Sequence, residues 1–327
     1  MLRLPEFEYA APTTVAEATR LLHDRGAKAM LLAGGTDVIP NLKRRQFRPE
    51  LVVALHKVEA LRGIHERDGR LVIGPLSTLA EVAEHTAIRA LYPALATAAA
   101  AIGTPQLRNQ GTLGGNLFLN TRCTFYNQLE EWRSSDGSCL KAEGGKCQVA
   151  PGGKRCWAVS SSDTAPVLAA LGAELRLVRH DDERTVPVAT IFRDDGINYL
   201  TIQPGEVLTE VLLPAAGTWD RTAFLKLRRR GTFDFPILNV AGAVKFGADR
   251  LVQRISIVLG AVGSTPIAID AQKLFAGTSL DDAAAVAALQ TQAGKRATPL
   301  PNTDASHVWR KRMVRVYTAR ILRELAA

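Results

Sequence analysis

The sequence predicts an α+β protein of more than one unit, and three observations carry that reading. Short apolar runs alternate with helical periodicity up to the region of Pro214 to Gly217. A strand-rich stretch and then two helical stretches follow it. A window rich in glycine, serine and charge interrupts the first part and holds every cysteine of the chain. Runs of strands followed by runs of helices mark an α+β unit. A length of 327 residues with 46% apolar content suffices for several cores.

In chain order, Thr14 to Gly26 reads as an amphipathic helix, with Thr14 as its cap, Glu17 at the capping-box position and Gly26 as its stop. Ala27 to Gly35 is a short strand that runs into a glycine turn. Leu51 to Val58 and Leu71 to Ser77 read as strands, and Thr78 to Ile102 as one or two helices interrupted near Pro93. A second glycine turn occupies Gly103 to Asn116. Beyond the cysteine window, Thr164 to Arg179 gives a helix, a glycine turn and a strand, and two more strand candidates cover Thr185 to Phe192 and Glu206 to Ala215. From Thr222 onward come strands, then helices through Leu280 to Gly294 and Ser306 to Ala327. The expected division is 1–55, 56–216 and 217–327, with an inserted loop at about 120–158.

Composition narrows the function. No apolar run is long enough to span a bilayer, and the first residues lack the pattern of a secretory signal, so a cytoplasmic chain with reduced thiols is expected. The formal charge of +9 is dispersed apart from Lys43-Arg44-Arg45 and Lys226 to Arg230. No nucleic-acid-binding motif accompanies it, so nucleic acid is not an expected partner.

Both glycine turns suit anion binding, because glycine lets successive N–H groups converge where a Cβ would obstruct. The first comprises Leu32, Ala33, Gly34, Gly35, Thr36 and Asp37; the second offers Gly111, Thr112, Gly114, Gly115 and Asn116. Together they could grip a diphosphate. Neither fits the Rossmann fingerprint or the P-loop. Cys123, Cys139, Cys147 and Cys156 are separated by 15, 7 and 8 residues. Four thiols on such a loop admit an iron–sulfur cluster, a zinc ion, or no ligation with or without disulfides. The absence of close cysteine pairs disfavours a zinc knuckle, and a [4Fe–4S] cube tolerates ligands from separated points.

The segments "LLAGGTDVIPNLK", "IGTPQLRNQGTLGGN", "SSDTAPVLAALGAEL" and "FLKLRRRGTFDFPILNVAGAV" occur in that order. Together they resemble the FAD-binding subunit of the molybdenum hydroxylase, or xanthine dehydrogenase, family. The resemblance covers nearly the whole chain outside the cysteine window. It implies a two-subdomain, non-Rossmann FAD-binding fold of the vanillyl-alcohol-oxidase (PCMH) type, followed by an α+β C-terminal flavoprotein domain. It also implies that both glycine turns face the FAD pyrophosphate, that Ile102 and Gly103 line the cofactor cleft, and that Asp163 lies near the adenosine–ribose region. Asp163 is in addition a candidate helix N-cap. Lys226 would approach the flavin from the C-terminal domain. No catalytic residue is expected on this chain.

Asn116 and Ser162 are separated by 45 residues, far more than in most of that family, so the cysteines lie on an insertion that ligation would staple. This loop resembles that of the 4-hydroxybenzoyl-CoA reductase branch, in its β subunits. The resemblance implies that the four cysteines bind a [4Fe–4S] cluster. It further implies a large molybdopterin subunit and a small subunit with two [2Fe–2S] clusters, assembled as a dimer of heterotrimers, with reduced ferredoxin as electron donor. Electrons would run through [4Fe–4S] and FAD toward the [2Fe–2S] and molybdenum centres for reductive dehydroxylation. Two alternatives stay open: an oxidising hydroxylase with reverse electron flow, and a zinc-stapled binding protein without enzymatic function.

Overall fold

A computed structural model describes residues 2–247 and 249–327. Three separate sheets organise them. The first is parallel: β1 (Glu8–Ala10), β2 (Ala29–Leu32) and β3 (Leu51–Ala54) lie in the order β1-β3-β2. All four residues of the central strand β3 are buried, as a strand covered on both faces requires. The helix Val15–Arg25 buries Ala18 and Leu22 in the same small core. Thr14 accepts the Glu17 N–H at 3.1 Å as expected, but Glu17 returns its carboxylate to the N–H of Thr13 rather than to that of Thr14. The complete capping box is at Thr78 and Glu81.

The second sheet is antiparallel. It contains β4 (Ile64–Arg67), β5 (Arg70–Ile73), β6 (Glu174–Arg179), β7 (Asp182–Pro187) and β8 (Val207–Leu212), in the order β4-β5-β8-β6-β7. The residues between β5 and β6 hold the helices of this unit and the cysteine loop. Thr78 to Ile102 forms three helices rather than one or two, with Pro93 at the first turn of the third, where a missing N–H costs nothing.

The third sheet comprises β9 (Arg221–Leu227), β10 (Leu238–Phe246), β11 (Val252–Gly260) and β12 (Ile267–Ile269), antiparallel in the order β12-β11-β10-β9. Buried side chains of the helices Ala283–Arg296 and His307–Ala326 share a core with this sheet. The helix Thr164–Leu171 of the middle unit is apolar almost all round, as a helix buried on every side must be. Gly260 brings it close to the C-terminal sheet: a Cβ there would stand 2.6 Å from Pro166 Cγ and 2.0 Å from Asn239 Oδ1. That approach places Asp163, just before the helix, against β9 and β10.

Candidate functional site

The two glycine turns meet. A Cβ on Gly34 would lie 1.8 Å from the carbonyl oxygen of Gln110, and one on Gly111 would lie 3.3 Å from Thr36 Oγ1. Their similar sequences conceal different roles. In the first turn, which follows Leu32 and Ala33, the N–H groups of Gly34, Gly35, Thr36 and Asp37 have no protein acceptor among the described residues. Gly35 sits at φ +75°, a conformation that opens the turn and favours glycine. In the second, Gly114 donates to Pro75 O at 2.9 Å, Gly115 donates to Thr112 Oγ1 at 3.1 Å, and Gly111 donates to Leu107 O at 2.7 Å. Asn116 is turned toward the protein: its Oδ1 accepts from Ser162 Oγ (3.0 Å), Thr164 Oγ1 (2.8 Å) and Thr164 N (3.2 Å). The donor-rich cradle is therefore the first turn, with the second as its wall.

Asp163 and Lys226 form a buried ion pair, Nζ to Oδ2 2.6 Å, with side chains only 4% and 5% exposed. Asn239, opposite Lys226 in the β9–β10 register, donates to the other carboxylate oxygen at 2.9 Å. Burial raises the Asp163 pKa above the ordinary carboxylate range, against the opposing pull of Lys226. Lys226 also donates to Ala101 O at 3.0 Å. The neighbouring Ile102 and Gly103 carbonyls receive Arg108, at 3.1 and 3.5 Å. The Lys226 amine is thus held by Asp163 and Ala101. One expectation changes here. The Asp163 side chain caps no helix, because Ser162 Oγ takes the Ala165 N–H at 3.0 Å.

The cysteine loop is better anchored than its composition suggests. It has a small core of Cys123, Tyr126, Cys156 and Ala158. The buried Arg133 donates to the carbonyls of Gln128, Arg44 and Arg45, which ties the loop to the first unit. Asn302 of the C-terminal domain donates to Trp157 O at 2.6 Å and accepts the Thr124 N–H at 2.9 Å. Protein contacts thus supply much of the staple that ligation alone was expected to provide. Arg122, next to Cys123, pairs with Asp37 of the first glycine turn and lies 4.0 Å from the centre of the Phe235 ring. Burial lowers its pKa to about 10.

All four thiols are free, and all four line one small cavity of about 10 Å³. Burial raises the Cys123 pKa to about 11 and also raises that of Cys156. Among the described residues no group of three or more His, Cys, Asp or Glu side chains is placed to hold a metal ion. The expected metal centre at Cys123, Cys139, Cys147 and Cys156 is accordingly present as a convergence of thiols and not as a formed coordination site.

Two residues close to the thiols escaped the sequence reading. Lys141 is among the residues that line the cavity and donates to Asn120 Oδ1 (2.7 Å), Gly196 O (2.6 Å), Thr121 O (3.3 Å) and the Thr121 hydroxyl. Burial lowers its pKa to about 8, while Cys156, Cys123 and Cys139 pull in the other direction. Gly196 packs on Cys156, where a Cβ would stand 2.6 Å from the sulfur. Nothing in the "DDGIN" turn signals that role. Lys141 could have been suspected only from its place two residues after Cys139. Two arginines of the basic run after Lys226 are paired locally: Arg229 with Asp304, and Arg230 with Asp234.

A non-Rossmann two-part unit with an open glycine turn, closed by an α+β domain, calls for comparison with known proteins. Residues 5–216 match the family model described as the FAD binding domain in molybdopterin dehydrogenase, and residues 222–325 match the CO dehydrogenase flavoprotein C-terminal domain. The chain belongs to the FAD-binding medium-subunit family of molybdenum hydroxylases. The carbon monoxide dehydrogenase medium chain of Hydrogenophaga pseudoflava is 30% identical over 263 residues, 80% of this chain and 77% of that protein. The alpha subunit of the 6-hydroxypseudooxynicotine dehydrogenase complex of Paenarthrobacter nicotinovorans is 28% identical over 326 residues, 98% of this chain and 95% of that one. In a solved structure of the Hydrogenophaga pseudoflava carbon monoxide dehydrogenase, one chain superposes with a TM-score of 0.81 at 26% identity, covering 99% of this flavoprotein subunit and 98% of that chain. The fold class expected from the sequence is the one observed. Among the described residues, no helix is long and apolar enough to cross a membrane.

Proposed function

We propose that this flavoprotein subunit carries FAD and a [4Fe–4S] cluster in a three-subunit molybdenum enzyme that reductively dehydroxylates 4-hydroxybenzoyl-CoA to benzoyl-CoA. Reduced ferredoxin would be the donor. The partners would be a large molybdopterin subunit and a small subunit with two [2Fe–2S] clusters, paired as a dimer of heterotrimers in the cytoplasm. FAD exchanges one or two electrons when bound and an iron–sulfur cluster exchanges one, so the pair supplies a relay. The observation that carries this reading is the joining of the two sites: Arg122, beside Cys123, pairs with Asp37 of the open glycine turn.

The chain supplies donors of the kind that both groups require. The unpaired N–H groups of Gly34 to Asp37 suit a pyrophosphate, and a side chain on Gly34 would collide with Gln110. Thr112 and the 111–116 backbone would form the wall of that cradle, and Ile102 and Gly103 would line the cofactor cleft. Asp163 and Lys226 fix the C-terminal domain against it. Four convergent free thiols are the donor set of a thiolate-ligated cluster, and Cys123, Cys139, Cys147 and Cys156 would hold it. Their spacing along the sequence, without close pairs, suits a cube, one corner per thiolate, better than a single ion. The functional division of the chain would be 1–55 and 56–216 around FAD, with the loop at about 120–158, and 217–327 as a lid.

The inserted loop supports the reductive direction, because it resembles the 4-hydroxybenzoyl-CoA reductase branch. The relatives named above are dehydrogenases, and they favour a second reading: an oxidising hydroxylase with electrons leaving through the cysteine site. Anaerobic purification of the complex decides between them. Iron, sulfide and flavin in the protein, with donor-dependent formation of benzoyl-CoA, are the expected results. A flavoprotein that contains the cluster yet only oxidises its substrate would support the second reading. Zinc in place of iron would remove both.

A further inference from the structure

We infer that Lys141 is the internal counter-cation of the cysteine site, a positioning residue whose fixed charge raises the reduction potential of the group that the four thiolates bind. This inference rests on the [4Fe–4S] reading. Lys141 lines the same small cavity as Cys123, Cys139, Cys147 and Cys156. Its four acceptors are all neutral: one amide oxygen, one hydroxyl and two carbonyls. No carboxylate lies within ion-pair distance of it among the described residues.

Two aromatic rings lie near its ammonium group. Lys141 Nζ lies 5.0 Å from the centre of the Tyr126 ring and 5.3 Å from that of Tyr199. Ring faces favour a cation and exclude water. A buried ammonium held only by dipoles and rings lacks a neutralising anion, and a desolvated charge without one is costly. Among the described residues that line this cavity there is no carboxylate, and its thiolates can supply the anion. A cluster ligated by four thiolates is net negative, and uptake of one electron from the flavin or from an external one-electron donor adds one more negative charge. A fixed cation against the cavity stabilises the more negative state more strongly, so the couple shifts toward reduction.

The test uses the intact complex, purified anaerobically, with iron and sulfide analysis and a redox titration followed by electron paramagnetic resonance. Lys141→Met should retain the cluster but lower its potential, so that at a fixed poise the ratio of reduced to oxidised cluster falls about tenfold, about 59 mV for a one-electron couple. Lys141→Arg should stay close to the unaltered protein. Loss of iron in Lys141→Met with retention in Lys141→Arg would also support a requirement for charge. An unmoved potential in an iron-loaded Lys141→Met protein would overturn the inference while leaving the cluster intact. Equal loss of iron in both variants would overturn it too, because the role would then be shape. Unaltered protein without iron and sulfide would instead defeat the cluster reading itself, before any variant is compared.

Discussion

Lys226 and Lys141 are both ammonium groups drawn out of water, and they differ in what neutralises them. Lys226 meets the Asp163 carboxylate at 2.6 Å, with Asn239 holding the second oxygen. Lys141 meets only neutral oxygens and aromatic rings beside four thiols. The first pair is complete within the chain and serves as a fastening between the middle unit and the C-terminal sheet. The second is half a pair. Its other half must come from ionised sulfur and what the sulfur binds. A buried ion that lacks a protein partner points to a ligand, whereas a buried ion pair points to architecture.

The contrast can be broken at several places. The largest effect is expected from Asp163→Ala, which leaves Lys226 buried without a counter-ion. It should lower unfolding stability by about 3–5 kcal/mol, as loss of one partner of a buried pair does. Chemical denaturation checks this, and a loss below about 1 kcal/mol would show that water or another group replaces the carboxylate. Next comes Gly196→Ala. Its methyl group would press on Cys156, at a cost of about 1–3 kcal/mol and with loss of bound iron. Full iron content and an unchanged melting temperature would separate Gly196 from the cysteine site.

Removal of iron by a chelator should act on one lysine and spare the other. Amide exchange across residues 120–158 should accelerate about tenfold, equivalent to about 1.4 kcal/mol of local stability, while the Thr164–Leu171 helix keeps its protection. Equal acceleration in both segments would mean that the loop and the ion pair are one cooperative unit. The smallest effect belongs to Lys154→Met, a charge removed from the exposed part of the same loop. Stability should stay within about 0.5 kcal/mol of the parent, and the cluster potential should not move. A shift as large as that of Lys141→Met would show that overall loop charge, not the inward position, sets the potential.

The features that could be read directly are those whose causes are local. Leu32 to Asp37 announces a strand end and a glycine turn, because glycine spacing and the adjacent hydroxyl act within a few residues. The cysteine window is visible from spacing alone. The turn at Gly111 to Asn116 differs, because distant segments share in its bonding. The N–H groups of Gly111, Gly114 and Gly115 are taken by Leu107, Pro75 and Thr112, and the pairing with Pro75 depends on a chain segment far from the turn in sequence. The same holds for Asp163. Its position before a helix suggests a cap, yet Lys226 and Asn239, more than sixty residues away, take its carboxylate.

The amino-acid order by itself determined the α+β class, a glycine turn at the end of a strand, and the gathering of every thiol in one window. Each follows from periodicity, backbone freedom or composition along contiguous residues. Only the tertiary structure decided which polar groups neutralise one another. It set Lys226 against Asp163, Arg122 against Asp37, and Lys141 beside the thiols. The energy of a charge withdrawn from water depends on what other segments place within a few ångströms of it, and that neighbourhood exists only after the chain has folded.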